Sequence, residues 1–143
     1  MVNLIIGPRG CGKTKKFIEV TNAAAEAKPN CVVCIEKGSV SRFSVSYHAR
    51  LIEIDEFKKV DTYREMYAVL CGLLAGNYDI SEIFIDSIFR ICGRDMAELK
   101  VFLEDLNELS EKNNVKFTIT LSEAKANIPD DVIALAADVC VMG

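Results

Sequence analysis

The residues with the most chemical content form one run near the start of the chain, Gly7-Pro8-Arg9-Gly10-Cys11-Gly12-Lys13-Thr14. Glycine, four free positions, then glycine, lysine and a hydroxyl residue is the spacing that grips a chain of phosphates. The glycines let successive backbone N–H groups turn inward around an anion, where a Cβ would block the approach. A helix starting directly afterwards would aim its unpaired N–H groups and positive dipole end at the same anion. Lys13 would reach the terminal phosphates, and the Thr14 hydroxyl would ligate Mg²⁺. All eight residues, with Lys15 just beyond them, are therefore candidate phosphate or nucleotide contacts. A plain glycine-rich turn with a surface lysine is the competing explanation, and context weighs against it. An apolar run precedes the loop and a helix-length segment follows it.

A second stretch agrees. Glu82-Ile83-Phe84-Ile85-Asp86 reads as an apolar strand ending in aspartate, whose carboxylate is placed to hold Mg²⁺ directly or through water. The bland alternative makes Asp86-Ser87 the cap of a following helix. In a parallel sheet, ligands collect at the carboxyl ends of strands, and both Thr14 and Asp86 fall there.

Positioning those groups requires an α/β frame, and the rest of the sequence supplies one. Short β-branched runs at Val2–Ile6, Cys31–Ile35, Glu82–Ile85, Lys116–Leu121 and Asp138–Met142 alternate with segments of helical period, and Arg50–Ile54 is a weaker sixth strand. Most of these runs are continuously apolar, as strands covered on both faces should be. Helices are expected from Lys13 to about Ala27, from an N-cap at Asp61 to the Gly72–Gly76 region, from an N-cap at Asp95, and from Pro129 to Ala136. The 143 residues show no repeat, linker or second-domain boundary, so a single domain over 1–143 is expected. Half the residues are apolar, which excludes a disordered tail. The balance of 17 basic against 21 acidic residues gives no overall pull toward nucleic acid. No apolar run is long enough to span a membrane, and with no export-type start a cytoplasmic location is expected.

The six cysteines read as buried thiols of a reducing compartment. Cys31 and Cys34 lie three strand steps apart, on opposite faces with Cα atoms about 10 Å apart, too far for a disulfide. His48, with no metal-spaced partner, reads as a packing or surface residue. The serine-rich stretch 37–49, with Phe43 and Tyr47 among basic residues, is either a substrate-contacting lid or a surface loop.

With these motifs in place, the chain resembles a P-loop NTPase over its whole length, and most narrowly the RecA-like ATPase branch in a minimal form. Serine rather than glutamate follows Asp86; Glu36 ends the second strand; and Ser122 ends the strand before the last. The resemblance implies a three-layer fold with a mostly parallel sheet of five or six strands. One strand should lie between the loop-bearing strand and the strand ending at Asp86; direct adjacency would favour the kinase–GTPase branch. It further implies binding and hydrolysis of ATP with Mg²⁺, Lys13 and Glu36 acting in catalysis, Thr14 and Asp86 holding the metal, and Ser122 sensing the terminal phosphate. Glu36 has a plain alternative as a strand-end carboxylate meeting Lys37 or solvent. The choice of ATP rests on the resemblance, supported by the lack of an Asn-Lys-x-Asp run. RecA-like proteins take a basic finger from a neighbour, so a homo-oligomer or protein partner is expected. Two other functions fit the same motifs, a small-molecule or nucleotide kinase and a nucleotide-dependent binding switch with negligible catalysis.

Overall fold

The computed structural model describes residues 1–27, 30–38 and 44–143. Six strands, β1 (Val2–Gly7), β2 (Val32–Glu36), β3 (Ala49–Glu53), β4 (Glu82–Ile85), β5 (Lys116–Ser122) and β6 (Asp138–Val141), form one sheet in the order β3-β2-β4-β5-β1-β6. Every pairing is parallel. The helices are α1 (Lys13–Glu26), α2 (Tyr63–Gly76), α3 (Ile88–Cys92), α4 (Met96–Asn113) and α5 (Asp130–Ile133). This is a three-layer α/β architecture of the P-loop NTPase type. All the expected strands are present, and the weaker sixth is β3 at the sheet edge. β5 separates β1 from β4, so the loop-bearing strand and the Asp86 strand are not neighbours.

The two sheet faces are covered unequally. The larger core unites Val33 and Ile35 of β2, Ile83 and Ile85 of β4 and Phe117, Ile119 and Leu121 of β5 with α2, α3 and α4. Val32, Cys34 and Phe84 point the other way and pack under α1, where the Phe17 and Phe84 rings meet edge to face at 6.1 Å. Side chains alternate along a strand, so even-numbered residues of β2, β4 and β5 face the α1 side. Continued one step past the apolar run, that rule aims Glu36, Asp86, Thr120 and Ser122 at the layer holding the loop and α1. The same alternation splits Cys31 from Cys34 across the sheet, and both are free thiols.

Local chemistry shifts some helix ends from their expected places. α2 is capped by Thr62 rather than Asp61, because Glu65 lies three residues on and closes a reciprocal capping box with Thr62. Asp95 does cap α4, its carboxylate accepting from the Glu98 N–H at 3.0 Å. Pro129 sits at the N-cap of α5, one position before the expected one. Asp86 caps nothing. The cap position of α3 belongs to Ser87, whose side chain makes no capping bond.

Candidate functional site

The loop between β1 and α1 is built by its glycines. Gly10 and Gly12 hold φ of 82° and 92°, a left-handed region costly for other residues. Gly7 has a different constraint: a Cβ there would lie 2.6 Å from both Cys11 Sγ and the Met142 carbonyl oxygen. Gly12 is also the N-cap of α1, with no side chain over the helix start. The first N–H groups of α1 therefore open toward the loop. Lys13 is 6% exposed, and its ammonium donates to the Pro8 carbonyl at 2.8 Å and contacts Cys11 Sγ at 3.7 Å.

Across from the loop, the carboxyl ends of β4 and β5 supply the polar wall. Register sets Ile85 beside Ile119, so the next step brings Asp86 beside Thr120. The fully buried Thr120 hydroxyl donates to Asp86 Oδ1 at 2.6 Å and accepts from the Ser87 N–H at 2.6 Å. Ser87 has φ of 56°, a left-handed conformation for a non-glycine residue. That bond is what holds the turn. Burial pushes the Asp86 carboxyl above the ordinary aspartate value, opposed by the Thr120 hydroxyl, then by the charges of Lys13 and Arg90 and by Ser87.

Between loop and wall lies one cleft of about 680 Å³, lined by Arg9, Gly10, Gly12, Lys13, Thr14, Asp86, Ser87, Arg90 and Ser122. The structure thus brings together the loop, the Thr14 hydroxyl, the Asp86 carboxylate and Ser122. Gly7, Pro8 and Cys11 shape the loop without lining the cleft, and Lys15 points to solvent. Glu36 is 2% exposed and is not among the lining residues. It lies close by, since the Asp86 N–H donates to the Ile35 carbonyl at 2.9 Å. The buried Cys34 thiol is pushed upward by burial first and then by the carboxylates of Glu36 and Asp86.

A hydroxyl and a carboxylate beside a phosphate-sized loop are hard oxygen donors, the chemistry Mg²⁺ prefers. Among the described residues no group of three or more His, Cys, Asp or Glu could hold a metal on its own. Mg²⁺ needs none where one or two protein oxygens share it with phosphates and water. The donor set fits.

Thr120 and Arg90 matter more here than sequence reasoning indicated. Thr118 and Thr120 interrupt an otherwise apolar strand, which was the available signal. Of the 37–49 stretch, Ser39, Ser41, Arg42 and Phe43 lie outside the described residues. Its second half is tied to the far end of α1, where Asn22 bonds the Ser44 carbonyl and the Ser46 N–H, and His48 approaches Glu26 at 3.7 Å. Asn22 lies about 13 Å along the helix from Lys13, at 1.5 Å per residue. Tyr47 and His48 are therefore remote from the cleft.

No family model and no curated protein matches the sequence. Among solved structures it is similar to domain III of the Thermotoga maritima replication initiation protein DnaA, with a TM-score of 0.55 and 15% identity. That match covers 99% of this chain and 54% of the other, so the chain spans about half of its neighbour's length. The likeness is one of fold. It supports the P-loop NTPase architecture and gives the RecA-like branch no support of its own.

Proposed function

We propose that this domain binds a nucleoside triphosphate, ATP in the first instance, together with Mg²⁺, and hydrolyses it. The observation that carries the reading is the shared cleft of about 680 Å³, in which a glycine-shaped loop and the start of α1, with its Thr14 hydroxyl, face the Asp86 carboxylate. In this reading the backbone N–H groups of the loop hold the phosphates, with Arg9 and Lys15 adding charge at its rim. Lys13 exchanges its bond to the Pro8 carbonyl for the terminal phosphates. Thr14 and Asp86 would hold Mg²⁺, which supplies charge neutralisation across the phosphates. Ser122 offers a polar contact at the end of β5, and Glu36 orients the attacking water. Phosphate release measured with Glu36→Gln tests the catalytic half. Retained Mg-ATP binding with lost release is the expected result, and undiminished release removes Glu36 from that role.

One observation favours a second reading, a nucleotide-dependent binding switch. Glu36 is buried outside the cleft lining, and Ser87 stands where many hydrolases carry a second carboxylate. Tight Mg-ATP binding by the native protein without phosphate release would decide for the switch. The strand order argues against the kinase–GTPase arrangement, since β5 intervenes between β1 and β4. The likeness to a replication-initiation domain brings no nucleic-acid role with it, and the net charge of −4 offers none.

A further inference from the structure

Two arginines follow Asp86, and the structure treats them differently. Arg94 is consumed by the fold. Its guanidinium bonds the Ser122 carbonyl at 3.0 Å and Glu123 at 2.7 Å, and it lies over the Phe89 ring at 4.9 Å. Arg90 has no ion pair among the described residues, and its side chain lines the cleft beside Lys13, Thr14 and Asp86. It is also the single exposed residue of α3, whose other four, Ile88, Phe89, Ile91 and Cys92, are buried.

That short helix is pinned on every side. The Ser87 N–H is held by Thr120, the Tyr63 hydroxyl donates to the Gly93 carbonyl at 2.7 Å, and the Lys37 ammonium donates to the Arg90 carbonyl at 3.3 Å. Four buried side chains and three anchors fix a backbone whose one outward group is a guanidinium over the phosphate cleft. An anchored backbone narrows what the side chain can reach, and positive charge kept beside the cleft stabilises a transition state in which negative charge develops.

We propose that Arg90 is a catalytic residue supplied in cis, contacting the terminal phosphate from the same chain that binds it. This deepens the hydrolytic reading and rests on it. In the reaction a water oxygen bonds to the terminal phosphorus as its bond to the bridging oxygen breaks. The electron pair stays on the diphosphate, one water proton remains on the released phosphate and the other passes to solvent. Negative charge grows on the bridging and terminal oxygens, and the Arg90 guanidinium meets it. The arginine expected from a neighbouring subunit is then not required.

Three proteins test this: Arg90→Ala, Arg90→Lys, and an equimolar mixture of Arg90→Ala with Lys13→Ala. Arg90→Ala should lower kcat by about 100-fold or more, the scale of one lost electrostatic contact, with KM little changed. Arg90→Lys should recover part of the loss, because charge returns without the planar fork. The mixture should stay as slow as Arg90→Ala alone, and native turnover per chain should not vary with protein concentration. Restored turnover in the mixture overturns the cis assignment, since a Lys13→Ala chain would be lending its Arg90 to a neighbour. Unchanged kcat in Arg90→Ala overturns the role while leaving hydrolysis standing. A native protein that binds Mg-ATP without turnover overturns this role and the hydrolytic reading together.

Discussion

Replacing Thr120 by valine removes one hydroxyl and keeps the shape, which isolates the bond network behind the cleft. The hydroxyl is fully buried and joins two partners at 2.6 Å each, the Asp86 carboxylate and the Ser87 N–H. A hydrogen bond to a charged group contributes about 1.5–3 kcal/mol, and a buried N–H left unpaired costs about 1–3 kcal/mol. Ser87 is only half-buried, so water repairs part of the second loss. A net destabilisation of about 2–4 kcal/mol follows, equivalent to roughly a 10 °C fall in Tm for a chain of this size. Urea unfolding followed by circular dichroism reads it directly, with an unchanged m value showing that the unfolded state is unaltered. Thr120→Ser restores the hydroxyl and should cost only about 1 kcal/mol for the missing methyl. The cycle with Asp86→Asn should show a coupling of about 1 kcal/mol or more. A Thr120→Val protein within experimental error of the native stability, or a serine variant as unstable as valine, refutes the reasoning.

Gly7→Ala should destabilise the fold by about 1–3 kcal/mol in the same assay, the usual cost of overpacking. Adding Cys11→Ala should not rescue it fully, because the Met142 carbonyl stays 2.6 Å from the new Cβ. Glu123 is held down to about 2 by the Asn127 amide first, then Arg94 and the Ala124 N–H. Its stabilisation is therefore present above the ordinary value of 4.5 and lost as pH falls toward 2. Glu123→Gln should flatten the stability profile across that acid window, and an unchanged slope would contradict the assignment. In thiol titration of the folded protein, Cys34 and Cys92 should stay silent. Burial raises both, Cys92 to about 12, and fast labelling of either would count against this packing.

What was legible in the sequence was what is local. The run from Gly7 to Thr14 carries its own conformation in its glycines, so its chemistry could be read before any fold was known. Continuous apolar strands announced a sheet covered on two faces, whereas the expected start of α2 falls one residue early, at Asp61, because the three-residue spacing of Thr62 and Glu65 goes unused there. α3 was legible only as an unbounded helix after Asp86-Ser87, because five residues hold no period and its four buried side chains look like a continuation of the strand. Thr120 was hidden for a different reason: a threonine in a strand is an ordinary β-former. It becomes a positioning residue only when register sets it beside Asp86. Arg90 and Arg94 are indistinguishable in sequence and separate only when Glu123, Ser122 and Phe89 are seen to occupy one of them. The edge strand β3 was faint because Arg50 breaks its apolar run, as an edge position permits.

The central claim is that the cleft between the Gly7–Thr14 loop and Asp86 is a magnesium–nucleotide site. Calorimetric titration of Mg-ATP into the native protein and into Lys13→Ala tests it most directly. Saturable one-to-one binding by the native chain, weakened by chelating the metal and abolished in Lys13→Ala, is the result predicted. Equal affinity in the two proteins, or no binding by the native chain, would contradict it.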